Sequence, residues 1–593
     1  MPATRPVSLE DLARYPRMTG WFSPPLLVRL LGRVLVSGLF GHYADRRLVI
    51  AALDTPAKEE LLRRARAFLP DGAARKPGQI DPDGEGAIWI DYLADLGDGF
   101  DATYAIASLL AQERLAVGGV ETRRGQLLLM GGDEVYPHAA AEHYQRRLLD
   151  PYGWAFPDPD PASADGPPLF AIPGNHDWYD GLAQFLTVFA REGGRHIGGW
   201  RTAQRRSYFA LQIAPDWWVW GLDAQLADFI DQPQRDYFAM MAKEMAPGSN
   251  LILLGPEPGW LFTGEKGARS LGVLDEAARL AVACCKDVAI RLVIAGDQHH
   301  YSRYQSDDGG TQFITSGGGG AYLHATHALP ERVTFDAAGG PSWLDGRIEG
   351  LRLAREPGAG TEALYPSRAD SRRALRGVFW FALLNPGFAT LLGVVYALFG
   401  AIALRASIYD LWIVPAAMFA GFWVYSRQQE GGGPMVVAVS LAAALAHAAA
   451  AIGLAHALAA LHPLLPAALQ GPRASFLVYA AAMTALGGGV AATLLASGLF
   501  GFSRWFDIDH NDAFSAIRRD THRHFLRIRI RGDEVTLFPI GLDRPPRRRD
   551  WRVNADGAGR PAPAYVPDPP LAPHLIEGPV RLGPALDGRA RSA

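Results

Sequence analysis

Four stretches of the chain place acids, amides or imidazoles directly after a short apolar run. They are Leu93-Ala94-Asp95-Leu96-Gly97-Asp98-Gly99, Met130-Gly131-Gly132-Asp133-Glu134-Val135-Tyr136-Pro137, Ile172-Pro173-Gly174-Asn175-His176-Asp177 and Ala295-Gly296-Asp297-Gln298-His299-His300. Each apolar run reads as a buried strand that small residues then break. In open α/β sheets ligands bind outside the carboxyl ends of strands, so four such ends can meet in one crevice. Carboxylates, an amide oxygen and imidazoles gathered there make a donor set for divalent cations. Mixed O and N donors suit Mn, Fe or Zn rather than Ca or Mg. His176 can act as an acid or a ligand, and Asp177 beside it can orient that ring. An isolated Asn-His-Asp triplet is most often a polar loop. Four junctions of one kind between residues 93 and 300 point to a shared site.

The elements that would position these residues alternate between strand and helix. Strands are predicted over Ala87–Ala94, Gln126–Gly131, Pro168–Ile172, Leu251–Leu254, Ala289–Ala295 and Thr311–Thr315. Helices are predicted over Asp101–Leu115, Ala139–Leu149, Gly181–Arg191, Gln234–Ala246 and Leu271–Cys284, with a strand pair at Ser207–Ile213 and Trp217–Leu222. Such alternation indicates a layered α/β domain, placed at residues 86–340. Residues 1–85 read as a helical leader, in which Leu26–Phe40 carries Arg29 and Arg33 on one face. That stretch is too short and too charged to span a bilayer and reads as a helix packed on the domain.

After a linker over 341–377 the composition changes. Val378–Leu404, Pro434–Leu461 and Ala474–Phe500 carry no acid, lysine or arginine. Each is long enough to cross a hydrocarbon core of ~30 Å. Leu411–Ser426 is a shorter apolar run, giving about four helices in a transmembrane region at 378–502. His447 and His456 inside it have no acidic company and read as packing residues. Arg368, Arg372, Arg373 and Arg376 precede the region, and seven arginines lie between Arg504 and Arg531 after it. The positive-inside rule then predicts a multi-pass cell-membrane protein with the α/β domain and both termini in the cytoplasm. Residues 503–593 read as a C-terminal segment with a β-hairpin turning at Gly532-Asp533.

Composition narrows the function. A net charge of −3 over 593 residues leaves no footprint for nucleic acid. The only cysteines, Cys284 and Cys285, are adjacent, so no disulfide framework is expected. The first twenty residues contain no apolar signal-peptide core.

The four junctions together resemble the calcineurin-like metallophosphoesterase family, whose motifs are D-x-H, G-D, G-N-H-[DE], a later lone His, and G-H-x-H. Gly174-Asn175-His176-Asp177 matches in full and Gly132-Asp133 matches well. The resemblance covers roughly residues 86–330. It implies a β-sandwich flanked by helices with a two-metal centre at the strand ends, formed by Asp95, Asp133, Asn175, Asp297 and His299. It implies that Asp133 bridges the metals and that His176, poised by Asp177, faces the leaving group.

Three imidazoles of the pattern are absent. Gly97 follows Asp95-Leu96, Asp297 replaces the first His of G-H-x-H, and Pro256 stands at the lone-His position. Asp98, Glu134 and His300 are candidate replacements, as are Asp223 and Glu257. A centre richer in oxygen favours Mn or Fe, with Zn or Mg still possible. Tyr136, Trp178 and Tyr301 read as rim packing, and Arg303 as a grip on a substrate phosphate. The expected activity is hydrolysis of a phosphate ester or pyrophosphate bond in a small-molecule or lipid substrate. The second reading is a non-catalytic sensor or scaffold that binds a phosphate ligand through a degenerate site.

Overall fold

The computed structural model describes residues 8–30, 32, 56–70, 76–158, 165–224, 229–262, 264–335, 343, 350–356, 358–407, 409–430, 433–554 and 562–583. Of the predicted Leu26–Phe40 helix, residues 24–30 are helical, and 33–40 lie outside the described residues. The chain forms two compact units: residues 1–19, 33–367 and 520–593 make one, and 20–32 with 368–519 make the other.

The first unit is a sandwich of two nine-stranded mixed sheets. Strands β1 (Ile88–Leu93), β2 (Leu127–Met130) and β3 (Pro168–Ala171) lie parallel in the first sheet. The second sheet contains β4 (Phe209–Ala214), β5 (Trp217–Gly221), β6 (Asn250–Gly255), β7 (Ala289–Ala295), β8 (Tyr301–Ser306) and β9 (Gln312–Ser316), in the order β8-β9-β7-β6-β5-β4. β1, β2, β3 and β6 are buried at every position, which is why they read as continuous apolar runs rather than alternating ones.

Facing side chains fill the space between the sheets. Ile90, Leu129 and Phe170 come from the first sheet, and Val219, Ile252, Leu292 and Ile314 from the second. Each such buried side chain stabilises the fold by about 1.5–3 kcal/mol. Helix α1 (Phe100–Leu110) packs Phe100, Tyr104 and Ile106 on the outer face of the first sheet.

The sheet does not end where the sequence analysis placed the domain boundary. Strands β10 (Arg523–Arg531) and β11 (Glu534–Leu542) form the predicted hairpin, and β10 pairs antiparallel with β1 along its length. Residues 503–593 therefore contain part of the sandwich rather than a separate segment. Leu526, Ile528 and Ile530 alternate inward to the core, leaving Arg523, Arg527, Arg529 and Arg531 on the opposite face. The alternation of Arg with Leu and Ile is the sequence signature of that placement.

The second unit is helical. Helices at Pro386–Ala403, Pro434–Leu464 and Pro472–Trp505 are long and apolar enough to cross a membrane. Ile413–Glu430 is a fourth helix of 18 residues, outside that set. The first apolar run does not form one continuous helix from Val378. It breaks at Asn385, where the helix restarts with Pro386 in its first turn, a position that needs no backbone N–H. Small residues allow close helix packing: a Cβ added to Gly393 would lie 2.1 Å from the Thr484 carbonyl oxygen. His447 is buried and 2.8 Å from the Tyr396 hydroxyl, a hydrogen-bonded packing residue.

Candidate active site

Three of the motif aspartates share an unusual backbone conformation. Asp95, Asp133 and Asp297 have φ of 58°, 52° and 64°, in the left-handed region that Asp tolerates better than most residues. They terminate β1, β2 and β7, so the same tight turn recurs at three strand ends. The first two turns lock together through Asp95 N–H to the Gly132 oxygen and Leu96 N–H to the Asp133 oxygen, both 3.0 Å. The Gly317–Gly320 run then passes against the end of β1. A Cβ on Gly317 would lie 2.2 Å from Asp95 Oδ2, which explains a glycine there.

The Tyr136 hydroxyl lies at the centre of this cluster. It is 2.9 Å from Asp95 Oδ1, 3.0 Å from Asp133 Oδ2 and 3.0 Å from His299 Nε2. His299 Nδ1–H donates to the Tyr322 carbonyl at 2.6 Å, so Nε2 carries the lone pair. Two carboxylates and an imidazole lone pair therefore compete for one phenolic proton. Burial pushes the His299 pKa down to about 4, keeping the ring neutral. Burial, reinforced by the neighbouring aspartates, pushes the Asp95 and Asp133 carboxyls well above the usual range. The cluster is short of positive charge.

That shortage is the test of whether the site suits a metal. The oxygens of Asp95, Asp133, Asn175 and Asp297 and the His299 nitrogen form a hard, mostly anionic donor set. Asp95 Oδ2 and Asn175 Oδ1 are buried and make no hydrogen bond among the described residues. The donor chemistry fits a divalent cation. As the side chains stand, no group of three or more His, Cys, Asp or Glu among the described residues is arranged to hold a metal ion.

His176 is the second residue of the short helix α2 (Asn175–Trp178), and its backbone N–H donates to Asp133 Oδ1 at 2.9 Å. The ring Nδ1–H donates to the Pro137 carbonyl at 2.8 Å, which puts the lone pair on Nε2. Burial pushes its pKa down to about 4.

Asp177 does not orient His176 as expected from sequence. Its carboxylate accepts from the N–H groups of Gly174 and Glu134, at 3.0 and 3.2 Å, and from the Tyr144 hydroxyl. It thereby pins the third junction to the second. The ring of His176 is instead held by a backbone carbonyl.

Arg303 is also not where a phosphate grip requires it. It is buried in a bidentate pair with Glu577, at 2.8 and 2.7 Å, and donates to Gln312 at 2.8 Å. Tyr301 donates to the same Glu577 carboxylate. The partner carboxylate lies in the C-terminal segment, which local motif reading did not connect to the strand end.

The candidate replacements for the missing imidazoles divide. Asp98 accepts from Thr19 N–H at 2.7 Å and faces Arg147 at 3.7 Å. Asp223 accepts from Trp178 Nε1 at 3.0 Å, and Glu257 accepts from Ser270. Both Glu134 oxygens and both His300 ring nitrogens are buried without hydrogen bonds among the described residues. Burial drives Glu134 toward its protonated form and lowers the His300 pKa to about 3. Asp297 Oδ2 accepts from Gln298 at 3.1 Å.

Three neighbours were not anticipated from the sequence. Tyr136, read as rim packing, is the hub. His324 stacks on His299 with ring centroids 3.8 Å apart. Arg523, from β10, is fully buried and near enough to Asp95 and Asp98 for their charges to act on it. The Tyr322-Leu323-His324 stretch offered a signal in its histidine. Arg523 offered none, since its nearness depends on pairing across more than 400 residues.

The family model for calcineurin-like phosphoesterases matches residues 88–301, a range that contains all four junctions. Residues 88–301 are a calcineurin-like phosphoesterase domain. Among solved structures the chain is similar to GAP50, described as the anchor in the inner membrane complex of Plasmodium. Identity there is 13%, covering 40% of this chain and 74% of that one, with a TM-score of 0.29. It is also similar to the purple acid phosphatase PPD1 from yellow lupin seeds, at 14% identity, covering 42% and 46%, with a TM-score of 0.25. Among curated proteins none matches the chain. The phosphoesterase match ends at Tyr301, whereas the sheet that carries the first three junctions also contains β10 and β11.

Proposed function

We propose that the chain is a membrane-anchored, metal-dependent phosphoesterase that hydrolyses a phosphate ester or pyrophosphate bond at the cytoplasmic face. The observation that carries this reading is the Tyr136 hub, where three acceptors compete for one proton. Asp95, Asp133, Asn175, Asp297 and His299 would hold the cations. Divalent cations, two in this family, acidify water and neutralise charge growing on phosphoryl oxygens.

The chain's own groups do the remainder. The Pro137 carbonyl fixes the His176 tautomer, so Nε2 is the atom that takes up a proton and passes it to the leaving oxygen. A neutral ring acquires that proton when an anionic phosphate approaches, because opposite charge favours the imidazolium. Asp177 is a positioning residue that holds Asn175 and His176 against the second junction.

Topology supports membrane anchoring with both flanks on one side. β1 precedes the helical region and β10 follows it, yet they pair in one sheet. A chain that leaves and re-enters the same folded unit crosses a bilayer an even number of times. Three long apolar helices then require a fourth crossing, for which Ile413–Glu430 is the available helix. The flanking arginines favour the cytoplasm as the shared side.

The test is phosphate release by the full chain in detergent, with Mn, Fe(II), Zn or Mg, on a panel of phosphomonoesters, phosphodiesters, pyrophosphates and phospholipids. Release that stops on chelation and in Asp133→Asn supports the reading. Saturable phosphate binding without turnover under every metal would replace it with the sensor reading.

A further inference from the structure

The outward arginines of β10 end in a groove that the phosphoesterase chemistry does not use. Strand β12 (Val580–Leu582) pairs with β11, and Arg529, Thr536 and Arg581 stand directly opposite one another across β10, β11 and β12. Arg531 lies two residues further along β10, on the same face and opposite Glu534. These residues, with buried Phe538, line a cavity of about 250 Å³.

Neighbouring strands are about 4.8 Å apart, so the roots of Arg529 and Arg581 stand roughly 10 Å apart, with the Thr536 hydroxyl between them. Arg523, beside the aspartate centre, and Arg531 are eight residues apart on one strand. That separation is roughly 27 Å at 3.4 Å per residue. The groove is a different place from the active site.

Its charges are poorly matched from within. The side chains of Arg531 and Arg581 make no hydrogen bond or ion pair among the described residues, their backbones being paired in the ladders of β10 with β11 and of β11 with β12. Arg529 gives one nitrogen to the exposed carboxylate of Glu85 and lies over the Trp89 ring, 5.7 Å from its centroid. Its Nε is buried and makes no hydrogen bond among the described residues. Glu534 is the one acid in the lining, so three guanidinium groups face one carboxylate. Guanidinium forks match phosphate oxygens in geometry, and a hydroxyl between two of them adds a donor at the same level.

We propose that this groove binds a phosphate-bearing ligand with at least two negative charges, at a site separate from the catalytic centre. The same chemistry is presented by a soluble diphosphate and by an anionic lipid headgroup. Titration calorimetry on the full chain in detergent, with EDTA present to silence the metal centre, separates these sources. Inorganic pyrophosphate serves as the soluble probe and dihexanoyl phosphatidic acid as the lipid probe. Binding that weakens with added salt is expected, and Arg581→Gln should weaken it about tenfold, the worth of one charge-assisted contact. Glu534→Gln should tighten it, which keeps the test informative if the arginine variant fails to fold. Asp133→Asn should leave it unchanged. Binding of pyrophosphate alone assigns the site to soluble diphosphates, binding of the lipid probe alone assigns it to a headgroup, and equal binding of both shows that the groove recognises the phosphate whichever source carries it. Binding weaker than about 1 mM for both probes, or binding lost in Asp133→Asn but kept in Arg581→Gln, would overturn the proposal.

Discussion

Asp91 and Asp95 lie four residues apart at the end of β1, both buried, yet their surroundings are opposite. Asp91 is held by a bidentate Arg527 guanidinium at 2.7 and 2.9 Å, and by the Gly125 N–H at 2.8 Å. Arg527 in turn donates to Thr122 at 3.0 Å. Asp95 has for company Asp133, Asp297 and a neutral imidazole. The nearest buried cation, Arg523, gives its donors to the backbone oxygens of Ala321 and Thr521. The mid-strand aspartate is thus neutralised by the partner strand, whereas the strand-end aspartate is left in deficit. A buried charge left unpaired costs stability, so a fold retains it where something else uses it.

The largest difference between the two places should appear in turnover. His176→Ala removes a proton carrier at the deficient end and nothing at the neutralised one. Turnover should fall by about 10²–10⁴-fold, while metal content and the unfolding midpoint stay near wild type. The loss should shrink for nitrophenyl esters, whose leaving group needs no proton. An equal loss on alkyl and nitrophenyl phosphates would remove His176 from the acid role.

Breaking the neutralised place should act on stability instead. Arg527→Ala strands Asp91 in the interior, and losing one partner of a buried pair costs about 3–5 kcal/mol. Denaturant unfolding of the full chain should show that loss. Arg527→Met with Asp91→Leu should recover most of it, because well-packed apolar residues can replace a buried ion pair. Failure of the double variant would mean that the pair does more than fill space.

The same contrast explains what could be read from the sequence. The strands before Asp95, Asp133, Asn175 and Asp297 were legible because apolar runs followed by Gly are local signals. The family match over 88–301 spans all four of these junctions. The role of Arg303 is not legible locally, because its partner, Glu577, lies 274 residues away. Tyr136 reads as rim in the sequence because nothing local says that a phenol will meet two carboxylates from different strands. The hairpin after the long apolar helices is visible in the sequence as a hairpin, but its partner is not. Pairing with β1 is a tertiary fact, and Arg523 enters the site's surroundings only through it.

The smallest effect is the most direct measure of the deficit. The carboxyls of Asp95, Asp133 and Glu134 have pKa values raised by burial and, in each case, by neighbouring acids. An acid whose pKa is higher folded than unfolded contributes stability that is present below the unfolded value and lost as pH rises through the folded one. The buried imidazoles of His176, His299, His300 and His524 are lowered, to between about 3 and 4. Their stability contribution is complete above the unfolded His value near 6.5 and is lost on acidification. Above about pH 7 the histidines are therefore silent, and the remaining slope belongs to the acids. With EDTA present, the unfolding midpoint should fall as pH rises from 7 to 9. Asp133→Asn, which removes one charge from the deficit, should raise the midpoint and flatten that slope while abolishing metal-dependent activity. Adding Mn to wild type should flatten it too, because a bound cation supplies the missing charge. A metal-free midpoint that stays level from pH 7 to 9 in both proteins would mean that the deficit at the end of β1 is already balanced within the fold.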